Sequence, residues 1–146
     1  MRSIETRGDS GRLWVRISAV LAAIAAPLII WVAATPVLKI ALEVRLTPGS
    51  PTQTVSALTI AIVGMLAGLV AWGLLALLER VTRHPRAIWT SISMVVLVVS
   101  LAGPLSGAQT PSAKVALVCM HLAVAIALVP LLAYTAVARK RLPSAG

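Results

Sequence analysis

The sequence predicts an all-α membrane protein, a four-helix antiparallel transmembrane bundle with a short extended segment in its first outer loop. Three observations lead there. Four windows, Ile17–Leu38, Val55–Leu78, Ala87–Ala113 and Val115–Ala138, contain no Asp, Glu, Lys or Arg. Each is long enough for a helix to cross a hydrocarbon layer of about 30 Å. Hydrophobic residues make up 59% of the 146-residue chain, and mean hydropathy is +0.97. A water-soluble bundle of this size needs a polar face on each helix, and these windows offer none.

The third observation is where the charge sits. The net charge of +9 could suggest nucleic acid, but the basic residues are sorted by position rather than gathered into one patch. Arg2, Arg7, Arg12 and Arg16 precede the first span; Arg80, Arg83 and Arg86 separate the second from the third; Arg139, Lys140 and Arg141 follow the fourth. Ten of the thirteen basic residues therefore fall on one side, with Lys39, Arg45 and Lys114 on the other. Positive charge is retained on the cytoplasmic side during insertion, which predicts a multi-pass protein of a bacterial plasma membrane with both termini cytoplasmic. The partners expected for this charge are membrane lipids, since basic rims face anionic headgroups. Nucleic acid is not expected.

Taken in order, residues 1–12 are polar, mixed in charge and glycine-containing, and read as a disordered cytoplasmic lead. The bundle covers 13–138, with spans at about 13–35, 55–78, 87–105 and 115–138, and a basic tail at 139–146. A cleaved signal peptide is the rival reading of the first span, with Val32-Ala33-Ala34 as a small-residue site. The apolar run is too long for a signal core, and cleavage would leave an odd number of spans. Trp14 and Trp31 bracket the first span, and Trp89 opens the third, at the depths where indole rings meet headgroups. Together with Arg16, Arg80, Arg83, Arg86, Arg139, Lys140 and Arg141 they form the expected interfacial set. Pro27 and Pro130 fall inside spans one and four and predict kinks.

In the first outer loop, Leu38, Ile40, Leu42, Val44 and Leu46 alternate with Lys39, Ala41, Glu43 and Arg45. That period of two reads as an extended strand with one apolar face. Its edges require it to lie on the bundle, pair with another segment, or pair with a second copy. The alternative is an irregular loop lying on the bilayer. The second outer loop, Pro104–Ala113, is polar and uncharged. In span two, Ala61, Gly64, Gly68 and Ala71 make a small-residue stripe that lets helix backbones approach, within the bundle or between copies. A weak repeat at an offset of 75 relates Trp14, Ile17 and Ser18 to Trp89, Ile92 and Ser93, and Thr35-Pro36 to Thr110-Pro111. It suggests two parallel hairpins, although so biased a composition produces such matches by chance.

Candidate chemistry is sparse. His121 is the sole imidazole within a span, seven residues past Lys114 and so about 10 Å below the outer boundary. An ionisable ring at depth needs a partner and is a candidate ligand-binding residue. The structural alternative is a hydrogen bond to a carbonyl or to Ser100, Thr59 or Ser56. Cys119 lies two residues away, 200° round a helix, so the two cannot act as a nucleophile–base pair. His84 is on the opposite side of the membrane, which removes a bis-histidine haem; His121 with Met65 or Met94 remains compatible in depth. Glu5, Asp9, Glu43 and Glu79 all lie outside the apolar windows, leaving no embedded acid for ion coupling or two-carboxylate chemistry. No catalytic or metal-binding residue, and no cofactor, is predicted.

Trp72-Gly-Leu-Leu-Ala-Leu-Leu-Glu79-Arg80 closing span two, Gly103-Pro104-Leu105-Ser106 after span three, His121, and Pro36-Val37-Leu38 before the alternating run resemble a family of small four-span membrane proteins of uncharacterised function from high-GC Gram-positive bacteria. The resemblance covers nearly the whole chain. It implies the architecture and brings no substrate. The function expected is a non-enzymatic accessory protein binding lipid or another membrane protein, or a second copy. The alternatives are a small-molecule binder or permease component with a pocket at His121, and a quinone-linked or redox membrane enzyme subunit.

Overall fold

A computed structural model describes residues 3–45 and 49–137. Leu46 at the end of the alternating run, and Arg139, Lys140 and Arg141 of the expected basic tail, lie outside those residues. The chain forms α1 (Ser3–Val32), continued by a π-helical turn at Ala33–Val37, then β1 (Glu43–Val44), β2 (Gln53–Thr54), α2 (Ala57–Val81), α3 (Pro85–Ser100), α4 (Ala102–Gly107) and α5 (Pro111–Thr135). Four of its helical stretches are long and apolar enough to cross a membrane, with α3 and α4 together making the third.

Helix α1 packs along both α2 and α5, and α3 closes the ring against α5 and α2. Neighbours in this ring are also neighbours in sequence or link first to last, so adjacent helices run antiparallel. Two layers of core hold them. Near the terminal end, where α1 starts and α5 stops, Ala19, Ala23, Leu75, Leu78, Trp89, Leu128, Leu132 and Ala133 meet. At the other, capped end the core is Ala34, Leu42, Ile60, Ala113, Ala116, Leu117 and Met120.

The helix boundaries follow local chemistry. Ser56 caps α2, its hydroxyl accepting from Thr59 N at 3.2 Å. Thr110 caps α5 by accepting from Ala113 N at 3.1 Å. Each side chain satisfies an amide with no partner inside its helix. Pro85 and Pro111 sit in the first turns of α3 and α5, where a missing N–H costs nothing.

Two boundaries differ from those the sequence suggests. From Ser3 to Arg12 the backbone is helical and continuous with the first span, where an irregular lead was expected. Extending an existing helix needs no new nucleation, so polar residues follow it readily. The third span, expected to end at about residue 105, runs on to Gly107, because α4 carries it past Pro104. Pro104 is the third residue of α4, a position whose amide would be unpaired in any case.

Of the alternating run only Glu43–Val44 forms a strand; Leu38, at φ −87° and ψ −3°, still follows the helical turn, and Lys39, at φ 53°, is left-handed. Glu43 and Val44 pair antiparallel with Thr54 and Gln53. On its other edge Val44 bridges Ala108, Arg45 N donates to Gly107 O at 2.9 Å and Gln109 N donates to Glu43 O at 3.2 Å. The loop between α1 and α2 and the loop between α4 and α5 thus join into one small cap, and the strand edges find their partners within the chain. Leu42 points down from this cap and is fully buried in the core. Glycine suits Gly107, because a Cβ there would lie 3.0 Å from Arg45 O, a tight contact that the cap would have to yield to.

Candidate functional site

The small-residue stripe is where α2 meets α1. A Cβ at Gly64 would stand 2.7 Å from Ala23 O, and one at Gly68 would meet Val20 Cγ1 at 3.1 Å. Pro27 has no N–H to give the Ala23 carbonyl, four residues back. That oxygen lies on the side of Gly64 where a Cβ would stand, so the two backbones can meet there only because the side chain is absent. Ala71 continues the stripe against the terminal-end core, and Ala61 is half-buried beside Ile60. Gly64, Gly68 and Ala71 therefore serve packing inside the bundle.

The expected interfacial residues divide. Trp14 is 68% exposed, and Arg80, Arg83 and Arg86 are exposed around the end of α2 and the start of α3. Trp31 is half-buried, its indole donating to Val55 O at 3.0 Å and tying α1 to the chain just before α2. Trp89 is a correction: it is 4% exposed and its Nε1 donates to Val129 O at 3.2 Å. The ring fills the gap between α3 and α5, where an indole that finds an acceptor can be buried whole. Trp14 and Trp89 occupy opposite environments, so the weak repeat has no structural counterpart there.

Arg16 also departs from its expected headgroup position. Its Nη2 donates to Glu79 Oε1 at 2.6 Å and to Thr135 O at 3.3 Å, and its Nε donates to Thr135 Oγ1 at 3.1 Å. Glu79 Oε1 also accepts from Val137 N at 3.0 Å, and Thr135 Oγ1 donates to Leu132 O at 2.9 Å. The pair is mostly buried, with side-chain exposures of 13% for Arg16 and 18% for Glu79. One guanidinium thereby fastens α1 to the last turn of α2 and the end of α5. A planar donor fork suits this better than an ammonium would. The sequence places Arg16 and Glu79 at the same membrane boundary, but 63 residues apart. Only the antiparallel packing of α1 on α2 brings them together.

Beside this tie lies a cavity of about 270 Å³ lined by Arg12, Leu13 and Arg16 of α1 and Trp72 and Glu79 of α2. Trp72 and Glu79 are two turns apart on one face of α2, roughly 10 Å along the axis.

His121 is half-buried on α5, and its Nδ1 donates to the Leu117 carbonyl one turn back at 2.8 Å. A carbonyl can only accept, so Nδ1 carries a proton and donates it there, and Nε2 is the ring nitrogen left for another contact. The described residues supply no hydrogen bond to that nitrogen. Cys119 is exposed on another face, and Met65 and Met94 are 43% and 44% exposed, facing away from the core. Among the described residues, no group of three or more His, Cys, Asp or Glu side chains is placed to hold a metal ion.

Neither the curated proteins nor the solved structures contain a match to this chain. A family model does match, across residues 8–138, and with it nearly the whole bundle. The chain belongs to DUF6069, a family of unknown function.

Proposed function

We propose that this is a non-enzymatic accessory protein of a bacterial plasma membrane, with both termini in the cytoplasm, that binds lipid or another membrane protein through the outer surface of its spans. The observation that carries the reading is how little of that surface the bundle uses on itself. Between 17% and 28% of the residues in the four apolar span windows are buried. Val63, Leu66 and Val70 on α2, and Val95, Val98 and Val99 on α3, are all more than half exposed. Such surface is stable only against acyl chains or another apolar helix. Among the described residues the charged ones agree with this orientation. Arg12, Arg16, Arg80, Arg83 and Arg86 gather at the terminal end, and Lys39, Arg45 and Lys114 at the capped end.

The test is purification from the native membrane in a mild detergent, followed by mass spectrometry of what accompanies the protein. A stoichiometric membrane protein or a retained lipid supports the proposal. A folded protein that is lipid-free and without partners contradicts it. Reporter fusions at the C-terminus that are active only outside the cytoplasm would overturn the orientation.

The unpartnered Nε2 of His121 favours a second reading, a small-molecule binder or redox-linked subunit with that nitrogen as a contact. A co-purifying quinone or a coloured preparation, lost in His121→Ala, would support it.

A further inference from the structure

We infer that the capped half of the bundle holds a lateral cleft between α2 and α3 for a neutral, lipid-soluble alcohol or phenol, its hydroxyl hydrogen-bonded to Nε2 of His121. The inference rests on the reading of His121 as a small-molecule contact, and names the ligand's class and its way in.

The cleft follows from exposure along two helix faces. Ala71 and Leu74 on α2 pack against the terminal-end core, and so does Ile92 on α3. Steps of three or four residues keep to one face of a helix. Such steps toward the cap lead to Ala67 and Val63 on α2 and to Val96 and Val99 on α3, and all four are exposed. One step further on α3, a Cβ at Gly103 would find nothing within 4 Å. The faces that share a core below therefore stand apart above.

His121 opens into this space. Ile126 marks the exposed side of α5, and His121, five residues earlier, lies about 140° round the helix from it. Two four-residue steps beyond His121, Val129 gives its carbonyl to Trp89, which places the ring on the flank of α5 that adjoins α3. It points into the bundle, and still it is only half-buried. Among the described residues, the unpaired side-chain atoms that are wholly buried are Thr35 Oγ1 and Ser93 Oγ. Nε2, equally unpaired, can therefore be reached from outside.

Depth selects the ligand. His121 is the eleventh of the 25 residues of α5, about 3 Å from the midpoint of the span. Phospholipid headgroups stay near the boundary, about 15 Å away, and present only methylenes here. A charged group at this level is costly. A hydroxyl can donate to an imidazole nitrogen or accept from one, whereas a carbonyl or an ether only accepts. A neutral hydroxyl on an apolar body thus satisfies Nε2, and the branched aliphatic walls suit that body.

The experiment titrates the full chain, in phosphatidylcholine nanodiscs, with geranylgeraniol, its methyl ether, decylhydroquinone and decylbenzoquinone. Native mass spectrometry reads occupancy, and nuclear magnetic resonance of isotope-labelled histidine reads the contact at Nε2. The titrations are repeated for His121→Ala, for Ala67→Trp, which fills the cleft, and for Leu69→Trp, about 200° away on α2. Circular dichroism confirms that each is folded. The expected result is one hydroxyl compound bound, with a shifted Nε2 signal. The ether and the quinone should bind about fivefold more weakly, and His121→Ala should cost the hydroxyl compounds the same factor, the worth of one hydrogen bond. Ala67→Trp should abolish binding, and Leu69→Trp should leave it unchanged. Whichever hydroxyl compound binds more tightly names the carrier, aliphatic or aromatic, and either supports the class.

Ether or quinone bound as tightly as the hydroxyl compounds overturns the ligand class. Equal occupancy in Ala67→Trp and Leu69→Trp overturns the cleft. A chain that takes up no probe overturns the inference outright, and if that chain is a dimer, a second copy fills the space. Undiminished binding in His121→Ala overturns the reading of His121 itself, which loss of the class or of the cleft leaves standing, so the failures are distinguishable.

Discussion

Gly64→Ala should destabilise this bundle although it adds a single methyl group to a helix. The new Cβ would lie 2.7 Å from the Ala23 carbonyl oxygen and 3.3 Å from both Ala23 C and Ile24 Cα, all backbone atoms. No rotamer change relieves a clash with backbone. An ordinary C···O contact is about 3.3–3.6 Å, so α1 and α2 must separate locally by roughly 0.6–0.9 Å. A gap of that size forfeits a quarter to a half of the dispersion energy along the seam. Overpacking of this kind costs about 1–3 kcal/mol. Alanine recovers about 1 kcal/mol of helix propensity, leaving a net loss of up to about 2 kcal/mol. Gly73 provides the comparison on the same helix, because nothing lies within 4 Å of its hypothetical Cβ. Gly73→Ala should therefore be neutral or stabilising by up to about 1 kcal/mol. Equilibrium unfolding in mixed micelles with increasing sodium dodecyl sulfate would measure both. If Gly64→Ala proves as stable as Gly73→Ala, the close approach of α1 and α2 at this point is refuted.

Three further substitutions probe the other tertiary devices. Glu79→Ala leaves the guanidinium of Arg16 without its carboxylate and Val137 N without its acceptor, and should cost about 2–3 kcal/mol in the same assay. Glu79→Gln, which keeps an acceptor oxygen, should cost less, and equal losses would show that charge alone matters. Leu42→Ala removes the fully buried side chain that roots the cap in the core, with an expected loss of about 2–4 kcal/mol. Proteolysis between Lys39 and Arg45 should quicken alongside, and unchanged cleavage would show that the cap is not anchored there. Trp89→Phe keeps most of the ring but loses the bond to Val129 O, a cost of about 1 kcal/mol. A headgroup-level tryptophan would instead show no change in stability on that substitution.

The composition and spacing of this chain by themselves determined the number of spans, their antiparallel order and the presence of a short extended segment in the first loop. Each is a one-dimensional property: span length against bilayer thickness, and period two against period 3.6. The stripe of Gly64 and Gly68 was equally legible as a close-approach surface, because only glycine leaves such room. What it approaches was not legible, since an internal helix and a second copy demand the same residues. Packing decided that the answer is Ala23 and Val20 of α1. The same holds for Arg16 and Trp89, whose residue types suit a headgroup interface and a satisfied interior equally well. Which of the two they occupy depends on the rotation of each helix about its axis, and that angle is set by all the neighbours at once. The tie from Arg16 to Glu79 and Thr135, and the cavity beside it, exist only because three chain segments far apart in sequence end at one level. Local pattern carries no information about such a meeting.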